Sequence, residues 1–184
     1  MRKLILTVLC LAASAACLSA GPLSGRRIPS FSLPDSNSNY HDILDYRGKV
    51  VLVEVMQTGC SHCQELAAQL EKVQDKYGNT VPILSIVVPP DNAETVKQYS
   101  VRFHIRYPIL FDCGQVAASL MRATPANPRV NFPHLFVVDK SGMIREDYDW
   151  ESGQVFLSGQ GLIQSIDRLM AGAPAKVPTK PVKN

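Results

Sequence analysis

Apolar residues along this chain group in two ways. Short, nearly unbroken runs occur at 50–56, 81–88, 107–111 and 134–138, each rich in Val, Ile, Leu or Phe and bounded by Gly, Pro or polar residues. Runs of that length and composition predict strands covered on both faces. Between them, apolar positions recur at steps of three and four: Leu66, Leu70 and Val73; Val96 and Tyr99 to Phe103; Leu162, Ile163, Ile166, Leu169 and Met170. That spacing puts each set on one face of a helix.

Punctuation residues set the ends of these elements. Ile28 to Asp35 alternates around Pro29 and Pro34, predicting an edge strand before the polar turn Ser36–Asn39. Ile43 and Leu44 anchor a short second element, and Arg47-Gly48-Lys49 turns the chain into the run at 50–56. Gly78 and Asn79 stop the first long helix, Asp91 or Asn92 caps the second, and a short helix spans Gln115 to Met121. A proline-broken loop follows to Phe132. Asp139-Lys140-Ser141-Gly142 then predicts a hairpin between 134–138 and 143–148. Strands alternating with helices, closed by a hairpin and a helix, give an α/β sandwich with a mixed sheet, in which 107–111 is a third central-type strand.

The ends of the chain stand apart. Met1-Arg2-Lys3 is a basic start, Leu4 to Ala16 is apolar, and Leu18-Ser19-Ala20 precedes Gly21: a secretory signal pattern over residues 1–20. Ala15-Ala16-Cys17 also resembles the end of a lipoprotein signal, which would anchor the protein to a membrane through Cys17. Plain cleavage is preferred because Ser14 stands where a lipobox has Leu. Residues 173–184 interleave three prolines with three lysines and read as a solvated tail. What remains, 26–172, is about one domain with one core.

The net charge of +3 comes from the two ends, so the middle is slightly acidic and offers no basic face to nucleic acid. Two of the five cysteines, Cys10 and Cys17, fall in the signal. Cys60, Cys63 and Cys113 remain. In an oxidising compartment the close pair would form a disulfide and leave one thiol over.

Cys60 falls where the strand 50–56 gives way to the helix. Free N–H groups and the positive end of the helix dipole there stabilise a thiolate. An inert staple is disfavoured, because two intervening residues close too small a loop to constrain much chain. Structural zinc needs a second close pair, and the chain has none; covalent haem needs His directly after Cys63, where Gln64 stands. The site is expected to need no metal and no cofactor.

The two-cysteine turn between strand and helix, Phe132-Pro133 before a strand, and the Lys140-Ser141-Gly142 hairpin resemble the thioredoxin fold. The opening Ile28-Pro29-Ser30-Phe31-Ser32-Leu33 and the approach Asp45-Tyr46-Arg47-Gly48-Lys49-Val50-Val51-Leu52-Val53 are similar to the AhpC/TSA and TlpA/ResA-like group of exported thiol-disulfide oxidoreductases. The resemblance covers about 26–172. It implies a three-layer α/β/α sandwich with an N-terminal extension, and an exported, periplasmic enzyme that exchanges disulfides with protein thiols. Such an enzyme either reduces its partners, as in cytochrome c maturation, or oxidises them, and it needs an upstream redox donor or acceptor. Members usually carry aromatics one and four places before the first cysteine, where this chain has Gly59 and Met56.

Carried onto this chain, the resemblance makes Cys60 the attacking nucleophile and Cys63 the residue that resolves the mixed disulfide. Glu54, the one carboxylate in its strand, shares parity with Leu52 and Met56; burial there raises its pKa, and the resemblance gives it the proton transfer for Cys63. Ser61 and His62 between the cysteines are tuning positions: an imidazole beside the thiolate favours the reduced form and makes the disulfide more oxidising. Pro133 matches the family's cis-proline, with Phe132 and Gly59 shaping substrate docking. His134 is expected on a sheet face. Cys113, a lone cysteine after the third strand, is read as a small core residue.

Two other functions share these features. A peroxiredoxin usually has Thr or Ser three places before its reactive cysteine, where Gln57 stands here. A copper metallochaperone of the Sco type spaces its cysteines by three residues and needs a distant histidine; His104 and His134 are the candidates.

Overall fold

The computed structural model describes residues 21–151 and 160–172. The expected signal, with Cys10 and Cys17, and the expected tail lie outside the described residues. In chain order the elements are β1 (Ser32–Pro34), β2 (Tyr40–Asp42), a 3-10 turn (Ile43–Tyr46), β3 (Val51–Met56), α1 (Ser61–Tyr77), β4 (Ile83–Val87), α2 (Ala93–Phe103), β5 (Ile109–Phe111), α3 (Gln115–Met121), β6 (His134–Val138), β7 (Ile144–Asp149) and α4 (Gln160–Met170).

The five-stranded sheet runs β5-β4-β3-β6-β7. β3, β4 and β5 are parallel, β6 is antiparallel to β3, and β7 is antiparallel to β6. The sheet is therefore mixed, as the element order implies. β3 lies at its centre, and all six of its residues are buried.

Alternation along β3 divides the core between two faces. Leu52 points to the side of Leu66, Leu70 and Val73 from α1 and of Leu162, Ile166 and Leu169 from α4. Met56, on the same side, meets Cys63 and Ala67 of α1 and Val96 and Tyr99 of α2. Val51, Val53 and Val55 point the other way, against α3 (Ala117, Leu120) and the N-terminal residues Ile28, Phe31 and Ile43. Helix spacing in the sequence translates directly into these layers: the buried residues of α1 are those at steps of three and four from Cys63.

Two strand expectations change. The segment 107–111 is not central: β5 has three residues and forms one edge of the sheet. Pro108 has no N–H to give a ladder, so pairing starts only at Ile109, and the outer side is met by a single bridge from Asp35 to Leu110. The expected edge strand around Ile28–Asp35 pairs with β2 in a separate two-stranded ribbon instead of joining the main sheet.

Register decides where the loops meet. Met56 lies opposite Val87 at the ends of β3 and β4, and Val87 lies opposite Phe111 at the end of β5. The antiparallel strands reach the same edge from the other direction, with Val55 opposite His134 at the start of β6, and His134 opposite Asp149 at the end of β7. One edge of the sheet thus gathers the loop after β3, the loop after β4, residues 112–114, Phe132-Pro133 and Trp150.

Candidate active site

At the end of β3 the chain makes a tight turn, with the Cys60 N–H donating to the Gln57 carbonyl at 3.1 Å. Cys60 is the N-cap of α1: its backbone is extended, and its Sγ accepts the Cys63 N–H at 3.3 Å. A sulfur is thereby placed among the free N–H groups of a 17-residue helix, where negative charge is stabilised. Cys60 is half-buried, Cys63 is fully buried, and both are thiols.

The turn is fastened from the side. Asp91, after Pro89-Pro90, accepts the Thr58 N–H at 2.9 Å and also bonds the Thr58 hydroxyl. Gln64 closes the turn from α1 by donating to the Thr58 carbonyl at 3.0 Å. The sequence leaves Asp91 and Asn92 as alternative caps for α2; Asn92 takes the cap, and Asp91 serves the cysteine turn. Gly59 is exposed, with open space where a side chain would be, whereas Met56 is fully buried against Cys63.

Behind the pair lies Glu54, fully buried on the Cys63 side of β3. Its Oε2 accepts the Ser85 hydroxyl from the paired position on β4 at 2.5 Å, and its Oε1 has no hydrogen-bond partner among the described residues. Burial pushes its carboxyl up to about 7, only partly offset by the Ser85 bond. Burial, reinforced by the Glu54 charge, pushes the Cys63 thiol well above the ordinary thiol range. Glu54 is thus a carboxyl with its pKa raised to about 7, on the side of a thiol whose ionisation burial opposes. Tyr99 of α2 donates to the Cys63 carbonyl at 3.2 Å and holds that helical turn in place.

The antiparallel half supplies the opposite wall. The Phe132-Pro133 peptide is cis, Pro133 is buried, and the Cys60 thiol faces the Phe132 carbonyl at 3.7 Å. Phe132 is half-buried. A groove of about 460 Å³ runs beside Cys60 between Gln57, His62, Phe132 and Trp150. Ser61 opens α1 and is exposed. His62 follows it, also exposed, with Nδ1 3.8 Å from Glu65 and its ring stacked on Trp150.

The residues named from the sequence for the cysteine site meet at one sheet edge; His134 and Cys113 reach that edge but stand apart from the pair, and His104, exposed at the C-cap of α2, lies at the far end of that helix. His134 is buried on the opposite face, with Nε2 3.3 Å from Asp147 and its ring against Phe136. Cys113 is not a core residue; it is exposed. The inward position belongs to Asp112, whose carboxylate accepts the Ala117 N–H at 2.8 Å, and Gly114, two residues on at φ 102°, is the N-cap of α3. Sequence reading missed Trp150, Asp91, Ser85 and Tyr99. Trp150 carries one usable signal, since it is the single tryptophan of the chain.

A central parallel hairpinless unit, an antiparallel hairpin and a cysteine pair at the strand-to-helix junction define a thioredoxin-fold protein with a vicinal dithiol. The AhpC/TSA family pattern matches residues 24–147, and the chain belongs to that family. It is similar to the thiol-disulfide oxidoreductase ResA of Geobacillus kaustophilus, 26% identical over 123 residues that span 66% of this chain and 67% of that protein. It is also similar to the thioredoxin-like protein YneN of Bacillus subtilis, 22% identical over 128 residues, or 68% of this chain and 71% of YneN. Among solved structures, the thioredoxin domain of a thiol-disulfide oxidoreductase from Bacteroides vulgatus superposes with a TM-score of 0.60 at 21% identity, covering 74% of this chain and 98% of that one.

Proposed function

We propose that the protein is an exported thiol-disulfide oxidoreductase that exchanges a Cys60–Cys63 dithiol/disulfide with protein thiols. One observation carries this reading: the half-exposed Cys60 sulfur at the start of α1 has the fully buried Cys63 one helical turn behind it, with Glu54 on the Cys63 side. The residues divide the work of a two-step exchange. The Cys60 thiolate attacks one sulfur of a partner disulfide, an S–S bond forms between the two proteins, and the partner's other sulfur leaves as a thiolate. Cys63 then gives its proton to Glu54 and attacks the Cys60 sulfur. The intermolecular bond breaks, the partner's second thiolate leaves, and Cys60–Cys63 becomes the disulfide, two electrons having passed to the partner.

Run backwards, the same steps oxidise a partner dithiol, with Glu54 returning the proton to Cys63. The Phe132 carbonyl, the groove beside Cys60 and the open surface at Gly59 hold the partner's backbone beside the attacking sulfur. Ser61 and His62, between the cysteines, set the balance of the two directions. The relatives named thiol-disulfide oxidoreductases support the reaction class. Export is supported by the basic and apolar start of the sequence. Among the described residues no helix is long and apolar enough to cross a membrane.

The experiment is capture on insulin, which offers accessible disulfides. Cys63→Ala is expected to hold insulin in an adduct released by dithiothreitol, and Cys60→Ser to hold none. Equal capture by both variants, or peroxide consumption by the wild type at a rate exceeding its insulin reduction, would overturn the reading.

A further inference from the structure

The single tryptophan of the chain is the residue directly after β7, and it lies against His62, which belongs to α1. The two rings are stacked, with centroids 4.4 Å apart and planes 17° from parallel. Trp150 also packs against the core cluster that contains Leu162 and Ile166 of α4, so the indole is held from behind. Both rings line the groove that contains Cys60. His62 Nδ1 also lies 3.8 Å from Glu65, and about half of the His62 side chain is exposed.

An exposed histidine on the first turn of a helix would otherwise sample several rotamers and spend part of its time away from the groove that Cys60 lines. An anchored indole face removes that freedom by stacking on the imidazole. We propose that Trp150 is the positioning residue for His62, holding its imidazole in the groove that Cys60 lines and so setting how strongly the Cys60–Cys63 disulfide oxidises. The proposal rests on the reading of that pair as the exchanging dithiol. It assigns the end of the far edge strand a part in the chemistry of the helix turn, and it explains how a cysteine turn bare of its own aromatics, with Gly59 and Met56 before Cys60, still presents one to the groove.

The test is a redox equilibrium with glutathione. Protein disulfide plus two reduced glutathione molecules gives protein dithiol plus one glutathione disulfide, so its equilibrium constant is read from the ratio of the two protein forms. Loss of a partly exposed ring stack predicts that Trp150→Ala lowers this constant roughly two- to fivefold, while Trp150→Phe keeps most of it. A tenfold change would correspond to about 30 mV. In a His62→Ala background, Trp150→Ala is expected to change nothing further. An unchanged constant in Trp150→Ala, or the same drop with and without His62, would overturn the proposal.

A second reading does not depend on Trp150 variants folding. As the sole tryptophan, Trp150 reports its own surroundings by fluorescence, and an imidazole stacked on indole quenches it. His62→Ala is expected to brighten and shift the emission of the otherwise unaltered protein; emission identical to wild type would overturn the stack. A protein that fails to equilibrate with glutathione at all would sink the oxidoreductase reading instead, while leaving the fluorescence result to judge the stack.

Discussion

The two halves of the sheet contribute to the site in different ways. The parallel half, β3 with β4 and β5, supplies residues that are neighbours along the chain: Glu54, Cys60, Ser61, His62 and Cys63 all fall within one strand-turn-helix segment. The antiparallel half, β6 and β7, supplies Phe132, Pro133 and Trp150, which reach the same edge only because β6 begins and β7 ends there. The atoms proposed to react therefore come from a contiguous segment, and the wall they face comes from pairing register. Damage to the first half should strike the reaction, and damage to the second should strike stability and tuning.

The largest effect should come from the parallel half. Cys60→Ser is expected to reduce insulin at the uncatalysed background rate while unfolding at the same denaturant concentration as the wild type, because the exchanged atom is half-exposed and contributes little packing. A variant that stays active would place the nucleophile elsewhere.

Next is Glu54. Its folded pKa of about 7 stands above the 4.5 of an ordinary glutamate, so the folded state keeps a proton that the unfolded chain has lost. Its contribution to stability is whole below about pH 4.5, falls as pH rises, and is spent above about pH 7. Each pKa unit is worth about 1.4 kcal/mol, giving roughly 3 kcal/mol across that window. Glu54→Gln should flatten this slope in urea titrations at several pH values, and remove the step near neutral pH from the rate at which Cys63 resolves a glutathione mixed disulfide. A slope that survives the substitution would assign the titration to another group.

In the antiparallel half the largest expected loss is structural. Glu146 of β7 is buried and bonded by Arg168 and Ser165 of α4 and by the Tyr148 hydroxyl. Arg168→Met removes the guanidinium paired with that carboxylate. We expect a loss of about 2 kcal/mol in urea unfolding with the glutathione equilibrium little changed, which would separate the two halves cleanly. A large change in redox equilibrium would show that β7 transmits more to the site than its end residue.

The smallest effect tests the fastening between the cysteine turn and α2. Asp91→Ala leaves the Thr58 N–H and the Thr58 and Thr95 hydroxyls without their shared acceptor. It should cost about 1 kcal/mol and speed hydrogen exchange at Thr58 and Cys60 before it affects exchange elsewhere. Uniform exchange throughout the chain would mean that the turn has no independent fastening.

The features legible along the chain were local ones. Periods of three and four fixed the faces of α1, α2 and α4, and Val-rich runs fixed β3 and β4, because a side chain's direction within a helix or strand follows from backbone geometry alone. The cysteine pair was legible for the same reason: strand, turn and helix are consecutive, so the place of Cys60 at the helix start needs no distant partner. Glu54 was legible through parity with Leu52 and Met56. The tertiary structure alone decided which strands are central, which loops share an edge, and which side chains cross between elements. It put 107–111 at the edge, turned Asp112 inward and left Cys113 exposed, gave Asp91 to the cysteine turn, and laid Trp150 on His62. Each of these depends on register between segments far apart in sequence, and register is set by the packing of both sheet faces at once, which no local pattern encodes.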